Sequence, residues 1–173
     1  MKNNHPLLSV IVTTFNRKEM LKNTILSILN QSYSNLELIV VDNYSDYDFL
    51  KYIISFKDSR IKPFQNKNNG IIAINRNFGI NQSKGDFIAF CDDDDLWHPN
   101  NLQVKLDYFI KDLSIGMITS KEEIINELGE KTGKTTHEWV NSNHLVTFKN
   151  LFFRNVGSPS ATIIKKECIN EIG

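Results

Sequence analysis

The segment FIAFCDDDDLW, residues 87–97, decides how this sequence is interpreted. An apolar run stops at four adjacent carboxylates, Asp92 to Asp95, and resumes with Leu96 and Trp97. Adjacent acids repel one another by roughly 1 kcal/mol or more per close pair, so a cation among them would stabilise the fold. A solvated acidic turn is the alternative interpretation. We favour a site, because ligands bind at the carboxyl ends of strands in open α/β sheets and oxygen ligands suit Mg or Mn.

Composition limits the possible classes of protein. The chain has 173 residues, enough for one well-buried domain, and its 20 basic and 20 acidic residues cancel. A formal net charge of zero gives no long-range attraction to polyanions, so we expect no nucleic-acid partner. No apolar run approaches the roughly 20 residues of a transmembrane segment. The apolar N-terminal run lacks a signal-peptide cleavage site and is interpreted as a strand, which predicts a cytoplasmic location.

Hydrophobic patterning predicts alternating strands and helices. The β-branched run from Leu8 to Thr14 is typical of a central parallel strand. Asn16 is a candidate N-cap, with Glu19 three residues later, for the helix that follows. Four further elements are predicted in order: a strand over 36–41, a short helix over 49–56, a non-central strand over 61–65 that carries Pro63, and a helix over 71–82.

The second half continues this alternation and then departs from it. The helix over 71–82 places Ile71, Ile74 and Phe78 on one face and is expected to close at Gly85. A fourth strand follows at 87–91, and then a helix with Pro99 in its first turn and its apolar positions at Leu102, Leu106, Phe109 and Ile110. Residues 115–119 continue the alternation, 121–136 suggest a hairpin or an irregular excursion, and 160–164 suggest another strand. The alternation of strand and helix predicts one α/β domain with a mostly parallel sheet.

Polar residues follow three of these strands, in the segments 13–17, 42–45 and 92–95. The carboxyl ends of parallel strands meet at one edge, so the three segments predict a single crevice. Neither G-x-G-x-x-G nor G-x-x-x-x-G-K-[ST] occurs, which excludes a dinucleotide fingerprint and a P-loop. A metal bridging a pyrophosphate to the carboxylates would serve instead.

Four stretches follow one another along the chain: SVIVTTFNR (9–17), LSILNQSYSNLELIVVDNYS (26–45), NNGIIAINRNFGINQSKGDFIAF (68–90) and CDDDDLWHPNNL (91–102). In this order they resemble family 2 glycosyltransferases of the GT-A fold. The resemblance implies a Rossmann-like, mostly parallel sheet flanked by helices in a single domain. It also implies transfer of a sugar, with inversion, from a nucleotide-diphosphate sugar whose diphosphate is held by Mn or Mg at an Asp-x-Asp motif.

The same resemblance implies roles for the residues at the first two strand ends. Thr13 and Phe15 would lie beside the nucleoside, with Arg17 close to that turn; strand-end packing is the alternative. Asp42 and Asn43 fall at the base pocket, where the family commonly has two acids. The Asn43 carbonyl can still accept N3–H of uracil or thymine, and we expect UDP ahead of dTDP.

Roles also follow for the residues around the acidic turn. Arg76 would face the donor, or else pair with an acid on the surface. Asp92 and Asp93 would contact ribose or metal-bound water, and Asp94 is the expected direct metal ligand. Asp95 would form a local hydrogen bond or face the acceptor. Trp97 is either a wall of the sugar site or core. His98 is expected to be structural, and residues 137–139 to belong to an acceptor region or an exposed loop.

Inverting transfer needs a carboxylate that removes the acceptor proton. In the resembled family this acid follows a segment like SPSATIIKKECINEIG, residues 158–173. We therefore interpret residues 1–173 as a GT-A domain whose base lies beyond Gly173, and no catalytic base is assigned. Substitution by Glu138, or donor binding without turnover, are the alternatives.

Three functions remain open on the sequence alone. The leading hypothesis is a metal-dependent glycosyltransferase of bacterial surface polysaccharide or glycolipid synthesis, with a carbohydrate or lipid-linked sugar acceptor. It would act in the cytoplasm or in contact with the inner face of the cell membrane. The second hypothesis is a non-catalytic module that binds a nucleotide sugar or a metal. The third, a nucleotidyltransferase, is disfavoured because FNRKEM lacks the glycines of that class.

Overall fold

A computed structural model describes residues 5–126, 129–136, 146 and 157–172. In chain order the strands and helices are β1 (Leu8–Thr14), α1 (Lys18–Leu29), β2 (Leu36–Asp42), α2 (Phe49–Ile54), β3 (Ile61–Gln65), α3 (Ile72–Gln82), β4 (Phe87–Asp92), α4 (Asn101–Lys111), β5 (Met117–Thr119), β6 (Glu123–Ile125), β7 (Lys131–Thr135), a 3-10 turn (Pro159–Ala161), β8 (Thr162–Lys165) and α5 (Lys166–Ile172).

Six strands form one mixed sheet in the order β3-β2-β1-β4-β8-β5. The four strands β3, β2, β1 and β4 are parallel, while β8 lies antiparallel between β4 and β5. The sequence prediction of a mostly parallel sheet is therefore confirmed, with Pro63 on the edge strand β3 as expected. The antiparallel insertion of β8 is the feature that the alternating pattern did not reveal.

The sheet is covered on both faces. On one face α1, α2 and α4 pack their apolar side chains against β1 and β2, including Val10, Val12, Leu38 and Val40, all fully buried. The other face has a smaller cluster around Ile11, Ile39, Val41 and Ile88, against which Phe78 of α3 packs. Burial on both faces explains why β1 and β2 are continuous apolar runs.

The start of α1 differs from the prediction. Arg17, and not Asn16, occupies the N-cap position, and no side chain caps the helix. Asn16 instead has a left-handed backbone with a φ of 55°. Its amide Nδ2 donates to Asp46 Oδ2 at 2.8 Å, and its Oδ1 accepts from Asp46 N at 2.8 Å. The predicted N-cap was wrong because this side chain joins the loops that follow β1 and β2.

The buried face of α3 also differs from the prediction. Ile71 and Ile74 are exposed, and the helix buries Asn75 and Gly79. A Cβ on Gly79 would lie 2.5 Å from Ile11 Cγ2, so the absence of a side chain allows α3 to approach β1 closely. Gly85 does not close the helix, which ends at Gln82 with Ser83 as its C-cap. The Gly85 amide instead donates to Ser9 Oγ.

The remaining elements follow the predictions with smaller differences. Strands β6 and β7 pair antiparallel, which is the hairpin alternative for this stretch. Ile110 is exposed, although it was assigned to the apolar face of α4. Residues 160 and 161 belong to the 3-10 turn, and β8 begins at Thr162. The candidates His137, Glu138 and Trp139 lie outside the described residues. In the described part of the chain, no helix combines the length and apolar composition that a bilayer crossing requires.

Candidate functional site

Three strand ends meet at one edge of the sheet. The register pairs Thr14 of β1 with Asp42 of β2, and Thr13 of β1 with Asp92 of β4. The polar segments that follow these strands are therefore neighbours in space, as the sequence predicted. This edge gathers oxygen and guanidinium groups from parts of the chain that are up to 79 residues apart.

The four acids form a tight turn in which Asp95 N donates to Asp92 O at 3.1 Å. Asp93 is 5% exposed, whereas Asp94 is an exposed residue. Thr14 Oγ1 donates to Asp93 Oδ2 at 2.7 Å from the neighbouring strand end. Sequence reasoning selected Thr13 and missed Thr14 as the partner of this acid. Alternation of side chains along a strand was the available signal, since adjacent threonines point to opposite faces.

Arg17 is the first cation on the acidic turn. One of its guanidinium nitrogens donates to Asp93 Oδ1 at 3.1 Å and to Asp94 Oδ2 at 2.8 Å. The charge of Asp93 is the largest cause that raises the pKa of Arg17 above its usual value, so this side chain remains a cation. The structure thus places Arg17 on the acids themselves, a closer association than the sequence suggested.

Arg76 is the second cation on this turn. It projects from α3 and donates from Nη2 to Asp92 Oδ1 at 2.5 Å. The pair brings α3 to the end of β4, so Arg17 and Arg76 hold the turn from two sides. Asp92, Asp93, Asp94 and both arginines consequently form one charged cluster.

Burial shifts the pKa values of two acids in the turn. Desolvation is the largest cause that raises the pKa of Asp93, and the hydrogen bond from Thr14 and the charge of Arg17 oppose it. Desolvation likewise raises the pKa of Asp95, against a hydrogen bond with Ser160. Partly buried carboxylates are costly to ionise, so positive charge at this turn stabilises the ionised cluster.

Asp42 and Asn43 hold the adjacent loops. Asp42 is fully buried, and its carboxylate accepts from Ser45 N at 3.0 Å, from Ser45 Oγ at 2.5 Å and from Gln65 Nε2 at 3.0 Å. Asn43 Oδ1 accepts from Asn68 N at 2.9 Å. Sequence reasoning included Ser45 in the polar segment 42–45 but missed Gln65; both side chains orient Asp42. The exposed surface of this corner includes Phe15, with 51% of its surface accessible.

The structure distinguishes the two interpretations of Trp97. This side chain is 9% exposed, belongs to the main hydrophobic core, and donates from Nε1 to Ser160 O at 2.8 Å. It is core, and the alternative of a wall for the sugar site was wrong. His98 is exposed, and its carbonyl accepts from Gln31 Nε2 at 2.8 Å, which is a structural role.

The donor chemistry of the turn fits a hard divalent cation, since four carboxylates supply only oxygen ligands. Among the residues that the structure describes, no three acids, histidines or cysteines converge with the spacing of a metal-ligand set. Arg17 and Arg76 instead hold the oxygens of Asp92, Asp93 and Asp94. Asp94 has 45% of its side chain exposed, so it is the acid of these three pairs most accessible from solvent.

Comparisons with known proteins agree with this geometry. The family model for glycosyl transferase family 2 matches residues 9–173. Over 120 residues the chain is 35% identical to the Escherichia coli protein UDP-Glc:alpha-D-GlcNAc-diphosphoundecaprenol beta-1,3-glucosyltransferase WfgD, covering 69% of this chain and 47% of that protein.

Two solved structures share the architecture. The mannosyltransferase PcManGT from Pyrobaculum calidifontis, in complex with GDP-Man and Mn2+, superposes with a TM-score of 0.71 at 15% identity, over 99% of this chain and 48% of that one. S. aureus TarS 1-349 in complex with UDP-GlcNAc gives 0.69 at 18% identity, over 95% and 46%. At these identities the matches establish the fold, and the predicted GT-A architecture is confirmed. The chain spans about half the length of these relatives.

Proposed function

Because this chain belongs to glycosyltransferase family 2, we propose that it binds the nucleotide-diphosphate sugar donor of a metal-dependent, inverting transfer to a hydroxyl acceptor. The observation that carries the proposal is the charged cluster at the sheet edge, where Arg17 and Arg76 contact Asp92, Asp93 and Asp94. Acids held by arginines at the carboxyl ends of parallel strands suit a ligand that brings both a cation and a polyanion.

The roles of the residues follow from their exposure and partners. Asp94 is the proposed direct ligand of Mn or Mg, because it is the more accessible acid, with Asp92 and Asp93 toward ribose or metal-bound water. The cation, when bound, would neutralise charge on the leaving diphosphate. Arg17 and Arg76 have planar guanidinium groups that suit phosphate oxygens, and both already lie at this edge.

Different observations support the proposed binding site of the nucleoside and the proposed identity of the acceptor. Thr13 and the exposed Phe15 ring would lie beside the nucleoside, with Asp42 and Asn43 at the base. UDP is the proposed nucleotide ahead of dTDP, and the name of WfgD specifies UDP-Glc for that relative. The same name specifies a diphosphoundecaprenol substrate, which supports a lipid-linked sugar acceptor for this chain in surface polysaccharide or glycolipid synthesis. An acceptor of that kind would place the reaction at the inner face of the cell membrane.

Calorimetric titration with UDP-glucose, dTDP-glucose and GDP-mannose, each with and without Mn2+, tests the proposal. We expect UDP-glucose to bind most tightly and to require the metal. Asp94→Asn removes a ligand charge at nearly constant size and is expected to weaken metal-dependent binding by about 10-fold or more. Asp86→Asn is the matched control, because Asp86 is an exposed acid immediately before the amino end of β4.

Three outcomes would count against parts of the proposal. Equal UDP-glucose affinity with and without Mn2+ would contradict the proposed requirement for a metal in donor binding. An equal effect of Asp86→Asn and Asp94→Asn would remove the assignment of Asp94. Equal affinity for UDP-glucose, dTDP-glucose and GDP-mannose would contradict the proposed preference for UDP.

A further inference from the structure

A short segment that lies about 65 residues later in the chain contacts the acidic turn. In the 3-10 turn Pro159–Ala161, Ser160 is 5% exposed. Its Oγ accepts from Asp92 N at 2.9 Å, at the residue where β4 gives way to the turn. Ser160 also forms a side-chain hydrogen bond with Asp95, which lowers the pKa of that acid against the effect of burial. One hydroxyl therefore contacts both ends of the four-acid sequence.

The segment that carries Ser160 is itself fixed by two buried donors. Trp97 Nε1 donates to Ser160 O at 2.8 Å, and Lys105 Nζ donates to Ala161 O at 2.7 Å. Lys105 is only 4% exposed, although it is a lysine. Leaving a buried polar group unpaired costs about 1–3 kcal/mol, so both contacts resist movement of the 3-10 turn.

Strand pairing sets the position of Ser160 along the sheet. Immediately after the 3-10 turn, β8 pairs antiparallel with β4, with Ile163 opposite Ala89 and Ile164 opposite Ile88. A slip of one residue would turn the buried Ile163 away from the core, so the register is strongly specified. The hydroxyl of Ser160 is consequently held at a constant place beside the end of β4.

We propose that Ser160 is a positioning residue that sets the placement of the acidic turn for the cation and the donor diphosphate. The inference rests on the proposed function, since it concerns the same site. Ser160 touches neither ligand in this scheme. It acts through Asp92 and Asp95, the first and last acids of the turn that carries the proposed ligand Asp94. Loss of hydrogen bonds around a metal site weakens metal affinity in other proteins by about 10–100-fold.

The test compares two buried serines on the same sheet. Ser160→Ala removes the acceptor for Asp92 N. Ser9→Ala is the matched control, because Ser9 is fully buried, donates to Glu37 at 2.6 Å and accepts from Gly85 N at 2.9 Å near the start of β1. Mn2+ affinity at saturating UDP is measured by electron paramagnetic resonance, and the thermal midpoint by calorimetry. We expect both variants to melt earlier and only Ser160→Ala to lose Mn2+ affinity, by about 10-fold.

If Ser160 were purely structural, Ser160→Ala would lower the thermal midpoint in the same way but leave Mn2+ affinity equal to that of the wild type. This result would overturn the inference and leave the proposed function intact. Absence of Mn2+ binding by the wild type would overturn the proposed metal site and, with it, the inference. If Ser160→Ala does not fold, Ser160→Cys retains the size and a weak acceptor, and a smaller loss of Mn2+ affinity is expected; unchanged affinity would again overturn the inference.

Discussion

Among single residues, Arg17 has the most direct influence on the charge of the site. Its guanidinium contacts one buried acid, Asp93, and one exposed acid, Asp94. Arg17→Gln removes both ion pairs, and we expect the free protein to lose about 1 kcal/mol of stability, because one of the two acids is buried. The same change frees the carboxylates for a metal, so we expect Mn2+ alone to raise the thermal midpoint more in Arg17→Gln than in the wild type.

The control for this prediction is another arginine–aspartate pair. Arg60 donates from Nη2 to Asp58 Oδ2 at 2.8 Å, away from the acidic turn. Arg60→Gln should lower the thermal midpoint of the free protein while leaving the response to Mn2+ as in the wild type. An identical Mn2+ response in Arg17→Gln and Arg60→Gln would contradict competition between Arg17 and the metal.

The charged residues of the site were accessible from sequence because charge at the end of an apolar strand is a local signal. Arg17 and the acids of the turn were identified in this way, whereas Arg76 lies on a helix and was assigned from the family resemblance alone. Thr14 and Ser160 were not identified, because their partners lie 79 and 68 residues away and neutral hydroxyls are common in any loop. Their roles depend on the alignment of β1, β4 and β8, which no short stretch of sequence specifies.

At the scale of elements, the approach of α3 to the sheet determines where Arg76 lies. Gly79→Ala would place a Cβ 2.5 Å from Ile11 Cγ2. Alanine normally favours a helix over glycine by roughly 1 kcal/mol, but overpacking a close contact costs about 1–3 kcal/mol. We therefore expect net destabilisation in urea, together with weaker donor binding as α3 and Arg76 move outward.

An exposed position of the same helix supplies the control. Asn77→Ala adds helix propensity without a contact in the core, since Asn77 is exposed. It should leave donor affinity unchanged and stabilise the protein slightly. A stabilising effect of Gly79→Ala would show that Ile11 moves aside at little cost and would contradict the packing argument.

The elements that are buried on both faces were the ones predicted best from the sequence. Strands β1, β2 and β4 are continuous apolar runs, and their positions were predicted to within a residue because burial on both faces leaves a simple pattern. The prediction of the buried face of α3 was wrong because a glycine that allows close packing carries no hydrophobic signal. The direction of β8 could not be predicted, because nothing in four residues indicates which neighbour they pair with.

For the whole molecule, the net charge of zero means that pH acts through individual buried groups and less through overall repulsion. Lys105 is the clearest case on the alkaline side. Burial lowers the pKa of this ammonium to about 8 from an ordinary value of 10.5, and the charge of Glu122 only partly opposes the shift. The buried thiol of Cys91, whose pKa burial raises well above its usual value of 9.0, acts in the opposite direction.

The direction in which Lys105 changes the free energy of unfolding with pH follows from proton binding in the folded and unfolded chains. Between pH 8 and 10.5 the unfolded chain holds the Lys105 proton and the folded chain releases it, so this residue makes the free energy of unfolding rise with pH. The neutral amine still donates to Ala161 O, so the contact survives deprotonation.

Lys105→Met removes the titration, and we expect the stability difference, wild type minus variant, to increase by roughly 1–2 kcal/mol from pH 7.5 to 9.5. Taking this difference cancels the contribution of Tyr52, whose pKa burial raises to about 12. Urea denaturation at several pH values measures it, with Lys111→Met, an exposed lysine of the same helix, as the control for loss of a charge. A difference that stays constant over this range would contradict a buried ammonium at Lys105.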